Sequence, residues 1–285
     1  MSFLDKIKKS DLEEFLKETS LYCVIDVKRI YDVTINLLKK FEGKKEITDE
    51  SVREWKKLYD DWYYSLETNN PDYRVYSDAH YMSEVWLCWT KYSRRYLKDL
   101  LNKKSIKINN EYKTVIEFFG KNDVIIDLGC GFGYTTATLK EIWPNSVVYG
   151  TNIKDSVQFK FATELGKKYN FSIIEDFKNI KADTIFATEY FEHFYEPIVH
   201  LEEVLLNIKP SNLIIANSFG PKAIGHFDKY LYDGRLIPSK EMNKIFSSKL
   251  KQFGYVKIKT SFWNNRPSIW KKQSCTLNDF LEENK

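Results

Sequence analysis

The sequence predicts an α/β protein, a seven-stranded and mostly parallel sheet with helices on both faces, preceded by an all-helical stretch. Three observations carry that expectation. From about residue 111 short apolar runs alternate with amphipathic stretches, the rhythm of a parallel sheet covered on both sides. One of these runs, Val124-Ile125-Ile126-Asp127-Leu128, leads into glycine at every second position, Gly129, Gly131 and Gly133, and then into a helical run through Thr135 and Lys140. Residues 1 to about 110 show helical spacing, with no strand alternation and no internal repeat.

In the helical part, Ser10-Asp11-Leu12-Glu13 has capping-box spacing before Phe15 and Leu16. Val24, Ile25, Val27, Ile30, Tyr31, Leu37 and Leu38 recur at helical intervals, and Gly43 offers a stop. A second helix from Thr48 places Val52, Trp55, Tyr59, Trp62 and Leu66 on one face, until Asn69-Asn70-Pro71-Asp72 breaks it. A third is expected over residues 77–101, with Val85, Trp89, Tyr92 and Tyr96 in a stripe. Between Trp55 and Tyr96, 12 of 42 residues are Trp or Tyr. Such a density reads either as the core of a small helical cap or as the wall of a substrate pocket, since these rings offer apolar faces with a polar tip. His80, Arg94 and Arg95 read as surface or packing residues, although an arginine here can pair with a carboxylate or phosphate.

Beyond residue 111 a helix over 112–119 ends at Gly120. Strands are expected at 124–128, 147–151, 171–174, 184–187 and 213–216. The tail adds an antiparallel pair, 255–263 and 268–272, through Asn264-Asn265-Arg266-Pro267.

The glycine loop carries the chemistry. Its glycines let the backbone turn sharply and approach a ligand. A dinucleotide fingerprint needs its third glycine where this chain has Tyr134, and Asp127 would repel a pyrophosphate, whereas it suits a ligand bearing an ammonium or sulfonium charge. Hydrophobic-hydrophobic-Asp-hydrophobic-Gly-x-Gly-x-Gly resembles motif I of the class I S-adenosylmethionine (SAM) methyltransferases. The resemblance covers most of residues 111–285 and implies a Rossmann-like sheet with SAM as cofactor, bound by Asp127, Gly129, Cys130, Gly131 and Gly133. It places Asn152 at the ribose, where the family carries an acid, with Asp155 either substituting or capping the next helix. It places Asp176 at the adenine amine, Phe177 against the ring, and Glu189 at the methionine ammonium, with Glu192 orienting its surroundings. Glu189 to Pro197 looks like the acid-histidine-proline stretch that small-molecule methyltransferases carry here, and Leu206 to Leu213 like their lead into strand five. Methyl transfer needs alignment, and a base only where the nucleophile loses a proton. His193 is expected as that base or as a histidine fixing its loop, and His226 as a second candidate beyond strand five.

Composition narrows the partners. Forty-four basic against 40 acidic residues give a net charge of +4, and no basic block suggests nucleic acid. Cys23, Cys88, Cys130 and Cys275 show no metal-ligand spacing and read as reduced thiols of a cytoplasmic protein; there is no His-Glu-x-x-His motif, so no metal is expected. A start charged at Asp5 and Lys6 predicts no signal peptide, and no run of 18 apolar residues predicts a membrane span. The absence of an Asp/Asn-Pro-Pro-Tyr stretch and of a Pro-Cys pair argues against DNA amino- and cytosine-C5 methylation. The expectation is therefore a methyltransferase domain at 111–285 under a helical cap at 1–110, acting on a small-molecule acceptor. An RNA methyltransferase and a non-catalytic SAM-fold subunit are the alternatives, and a nicotinamide oxidoreductase is disfavoured by Tyr134 and Asp127.

Overall fold

The computed structural model describes residues 32–33, 49–91, 97–108, 111–220, 222–262 and 266–273. The expected first helix with its capping box, the side chains of Cys88 and Trp89, and Cys23, Tyr92, Arg94, Arg95, Tyr96 and Cys275 lie outside the described residues. In chain order the elements are α1 (Asp49–Glu67), a 3-10 turn (Tyr73–Ser77), α2 (Ala79–Lys91), α3 (Lys98–Asn102), β1 (Ile106–Ile108), β2 (Glu111–Lys113) and α4 (Val115–Phe119). Then come β3 (Val124–Leu128), α5 (Tyr134–Ile142), β4 (Val147–Thr151), α6 (Val157–Tyr169), β5 (Ser172–Ile174) and β6 (Thr184–Thr188). A second 3-10 turn (Phe191–His193), α7 (Pro197–Ile208), β7 (Asn212–Ala216), β8 (Lys229–Tyr232), β9 (Arg235–Pro238), α8 (Ser239–Gln252), β10 (Tyr255–Ile258) and β11 (Ser268–Lys272) complete the described chain.

The main sheet has seven strands in the order β10-β11-β7-β6-β3-β4-β5, the seven expected. All neighbours pair in parallel except β11, which runs antiparallel to both β7 and β10. The central strands are mostly apolar because helices cover both faces: Ile125, Ile126 and Leu128 of β3 and Ile185, Phe186 and Ala187 of β6 are all buried. Leu201, Val204 and Leu205 of α7 face inward, as their spacing predicts.

At the amino end of the sheet a polar belt fixes the strands. Asp183 Oδ2 accepts from the backbone N–H of Asp123 at 2.7 Å and of Val124 at 2.9 Å. The buried Thr184 hydroxyl donates to Asn122 Oδ1 at 2.6 Å and accepts from Asn212 Nδ2 at 3.2 Å. Three adjacent strands are thereby pinned at the end away from the glycine loop.

Four local expectations need correction. The helix expected from residue 77 starts at Ala79: Asp78 is extended, and its Oδ1 accepts from the N–H of His80 at 2.7 Å, opening α2. The stretch up to 110 is not wholly helical, because β1 pairs antiparallel with β2. The helix expected at 112–119 begins only at Val115: Thr114 accepts from Glu117 N–H, and Glu117 from Thr114 N–H, a capping box worth about 1 kcal/mol. Ser156 rather than Asp155 caps α6, accepting from Phe159 N–H at 3.0 Å. The β8-β9 hairpin is absent from the sequence analysis; it turns at Asp233-Gly234, whose φ of 51° and 70° are those of a type I′ turn.

The N-terminal helices share their cores with the sheet. Met82, Trp86, Leu97 and Leu101 pack in one cluster with Ile125, Ile214 and Ile269. Trp62 and Val75 pack in the other with Ile126, Leu213 and Phe227.

Candidate active site

The carboxyl ends of β3, β4, β5 and β6 open on a cleft of about 1240 Å³. Asp127, Gly129, Cys130, Gly131, Asn152, Asp176, Phe177, Glu189, His193 and His226 all line it. Gly133 is not among the lining residues. It stands at the start of α5 with φ 85°, its Cβ position 3.1 Å from Ala162 Cβ and from Phe171 Cζ, so its bareness lets α5 pack on α6.

Asp127 is buried, and its Oδ2 accepts from the hydroxyls of Thr135 at 2.6 Å and Thr136 at 2.7 Å. Burial pushes its carboxyl up to about 7, although both hydroxyls favour the charged form. At Gly129, with φ 66°, a Cβ would stand 2.4 Å from the Tyr190 ring. At Gly131, with φ 55°, the nearest atom to such a Cβ is Val85 Cγ1 at 3.7 Å, so the loop presents bare backbone to open space. Asn152 donates through Nδ2 to Gly131 O at 2.8 Å and accepts through Oδ1 from Ile153 N–H at 2.9 Å. Its amide therefore ties the end of β4 to the glycine loop. Beyond β5, Asp176 is exposed, with Oδ1 accepting from Lys178 N–H at 2.8 Å, and Phe177 is buried beside it. A bare backbone cradle, a buried carboxylate beneath it and an acid-aromatic pair at the next strand end fit a nucleoside ligand carrying a positive charge.

After β6 the chain turns back on itself. Glu189 has φ 50°, and its N–H donates to Ala216 O at 2.7 Å, which holds the ends of β6 and β7 together. Its Oε1 accepts from Ser218 Oγ at 2.9 Å and from the Arg266 guanidinium. Glu192 is wholly buried: Oε1 accepts from Ser218 N–H at 2.6 Å, and Oε2 has no hydrogen-bond partner among the described residues. Burial, and then Glu189 nearby, hold its carboxyl well above the usual range. The Nδ1 of His193 stands 3.0 Å from Gly225 O and 3.1 Å from the Tyr76 hydroxyl, which itself donates to Gly225 O at 3.1 Å. Burial and the adjacent His226 lower the His193 imidazole to about 3, against the pull of the Gly225 and Glu189 backbones, so the ring is uncharged. The two imidazoles meet nearly edge to face, 4.9 Å between centroids.

One oxygen each of Glu189 and Glu192 and one ring nitrogen of His226 lie within 4.8 Å of one another. This grouping is absent from the sequence reading. Its only linear trace is the i, i+3 spacing of the two glutamates, because His226 arrives from another loop.

The opposite wall holds Tyr73, Tyr76, Tyr81, Val85 and Trp86. Trp62 is instead buried, and its Nε1 donates to His226 O at 2.8 Å. The two readings of the aromatic-rich stretch thus divide by residue: Trp62 is core, and the tyrosines of the 3-10 turn face the cleft.

The strand order, the glycine loop after β3 and the cleft over the strand ends are those of the class I SAM-dependent methyltransferase fold. No protein-family model matches the chain. Over 203 residues it is 25% identical to a tRNA U34 carboxymethyltransferase of Campylobacter fetus, covering 62% of this chain and 71% of that protein. Among solved structures it is similar to a putative O-methyltransferase from Nostoc punctiforme, with a TM-score of 0.47, 12% identity, and 76% and 68% of the two chains covered. It is also similar to an O-methyltransferase family protein from Burkholderia thailandensis, with a TM-score of 0.46, 12% identity, and 70% of this chain covered. The chain spans 61% of that protein's length. Among the described residues no helix is long and apolar enough to cross a membrane.

Proposed function

We propose that the chain is a SAM-dependent methyltransferase acting on a small-molecule acceptor. The observation that carries this reading is the two-walled cleft. One wall is the glycine loop with Asn152 and Asp176, and the other is aromatic. A volume of about 1240 Å³ exceeds the roughly 300–1,000 Å³ of a pocket for one ligand, leaving room for cofactor and acceptor together. When bound, SAM supplies an electrophilic methyl group on a positively charged sulfur. Asp127 faces that charge from below, the Gly129–Gly131 backbone carries the methionine end, Asn152 fixes that loop beside the ribose, and Asp176 with Phe177 holds the adenine. Glu189 faces the methionine ammonium. Residues 1–110 serve as the cap, and its tyrosines exclude water from the acceptor. His226 and His193 stand between the two walls. With its Nδ1 held at Gly225, His193 positions the loop that carries His226.

Thermal unfolding with SAM, S-adenosylhomocysteine and NAD tests the cofactor. A ligand at a hundred times its Kd stabilises by about 2.7 kcal/mol. The first two are expected to raise Tm by several degrees and NAD to leave it unchanged. A rise with NAD alone would sink the reading. A tRNA acceptor is the second reading, supported by the similarity to the Campylobacter protein. Binding of tRNA that weakens steeply with added salt would favour it over the small molecule.

A further inference from the structure

We infer that Glu189, Glu192 and His226 form a binding site for a divalent cation of the Mn²⁺ or Mg²⁺ class, between the cofactor wall and the aromatic wall. The ligand atoms converge within 4.8 Å. Around such an ion, oxygen and nitrogen ligands at about 2.1 Å stand roughly 3–4.2 Å apart, so small side-chain movements close the site. Two carboxylates and one imidazole, with no thiolate, form a set suited to a hard cation.

The second observation is Glu192 itself. Its side chain is wholly buried, and Oε2 meets no donor among the described residues. A buried carboxylate with one oxygen unpartnered, beside another, is a costly arrangement unless a proton or a cation stands between them. A proton neutralises one of the pair; a divalent cation serves both and uses the orphan oxygen. Arg266 does not fill this role, since its guanidinium contacts Glu189 and Ser218 and is 45% exposed. It is the cation's competitor at Glu189.

The placement deepens the methyl-transfer reading, on which the ion's purpose rests though its binding does not. Glu189 and His226 line the cleft, so a cation they held would face it, and a hydroxyl bound to that cation would lose its proton more readily. The acceptor class is therefore an alcohol or phenol. Its oxygen bonds to the methyl carbon as the carbon–sulfur bond breaks, the electron pair stays on sulfur, and the hydroxyl proton passes to water.

Mn²⁺ titration of the full chain, followed by the electron paramagnetic resonance of the free ion, tests the site. One ion per chain is expected. Glu192→Gln and His226→Ala are each expected to weaken binding at least tenfold while S-adenosylhomocysteine still raises Tm, which separates loss of the ion from loss of the fold. Arg266→Ala, an exposed change, is expected to tighten Mn²⁺ at least threefold. Absence of stoichiometric Mn²⁺ binding, or equal binding by the glutamate and histidine variants, overturns the inference. Intact Mn²⁺ binding without any response to S-adenosylhomocysteine would sink the methyltransferase reading and leave the cation site standing.

Discussion

At the scale of single residues, two side chains of the cofactor wall behave differently from what their positions alone suggest. Burial raises Asp127 from 3.8 to about 7, so the folded chain holds a proton there that the unfolded chain releases near pH 4. A carboxyl raised on folding contributes stability that is full below its unfolded value and is lost as pH rises through the folded one. The loss is at most about 4 kcal/mol, at 1.36 kcal/mol per unit. Asp127→Asn is therefore expected to flatten the fall of Tm between pH 5 and 8 in the ligand-free protein, by thermal scans in matched buffers. Cationic SAM favours the ionised form, so wild-type affinity is expected to rise from pH 6 to 8 and that of the variant to stay level, by calorimetric titration. Asn152 is the second case. From sequence it is a weakened ribose ligand, worth one neutral hydrogen bond where an acid would make a charged one. In the structure both ends of its amide are committed to Gly131 and Ile153. Restoring the acid with Asn152→Asp sets a carboxylate oxygen against the Gly131 carbonyl. We expect SAM binding several-fold weaker, and a tighter complex would return Asn152 to the ribose role.

At the scale of elements, the loop after β7 is the clearest example of one segment shaped by another. Gly225 has φ 84°, and a Cβ there would lie 2.9 Å from the Tyr76 ring and 3.0 Å from His193 Nδ1. Gly225→Ala is expected to lower stability by about 1–3 kcal/mol through strain in the left-handed region, and to displace His226 with the loop. Thermal unfolding together with Mn²⁺ affinity would read both. The sheet elements were legible because each strand of a doubly covered sheet is a short apolar run, and each site residue at a strand end is adjacent in sequence to such a run. Asp127, Asn152 and Asp176 were placed at such strand ends by the resemblance to the methyltransferases, and all three line the cleft. The start of α2 at Ala79 was not legible, since an aspartate inside an aromatic-rich stretch gives no signal until its carboxylate is seen capping the His80 N–H. The Glu189, Glu192 and His226 cluster was hidden for a different reason. Its third member lies 34 residues beyond Glu192, on a loop placed by Trp62 and Tyr76, which the sequence connects to it in no visible way.

At the scale of the molecule, the helical part and the sheet are expected to unfold as one. Trp62, Trp86 and Leu101 are buried at 1%, 1% and 0% exposure among residues of the sheet, so neither part keeps a closed core without the other. Calorimetry should give a single transition whose calorimetric and van't Hoff enthalpies agree; two resolved transitions would show independent domains. The sheet also has a sequence in time. Among the described residues β10 pairs with β11 and has no other strand partner in the sheet, and β11 must enter between β10 and the already formed edge of β7. On the ribosome β10 is therefore made before it has anywhere to bind, and β7 keeps a bare edge until Ser268–Lys272 emerges. A nascent chain stalled in that interval presents an open apolar strand to its neighbours, the state in which chaperone capture and aggregation compete with completion of the fold.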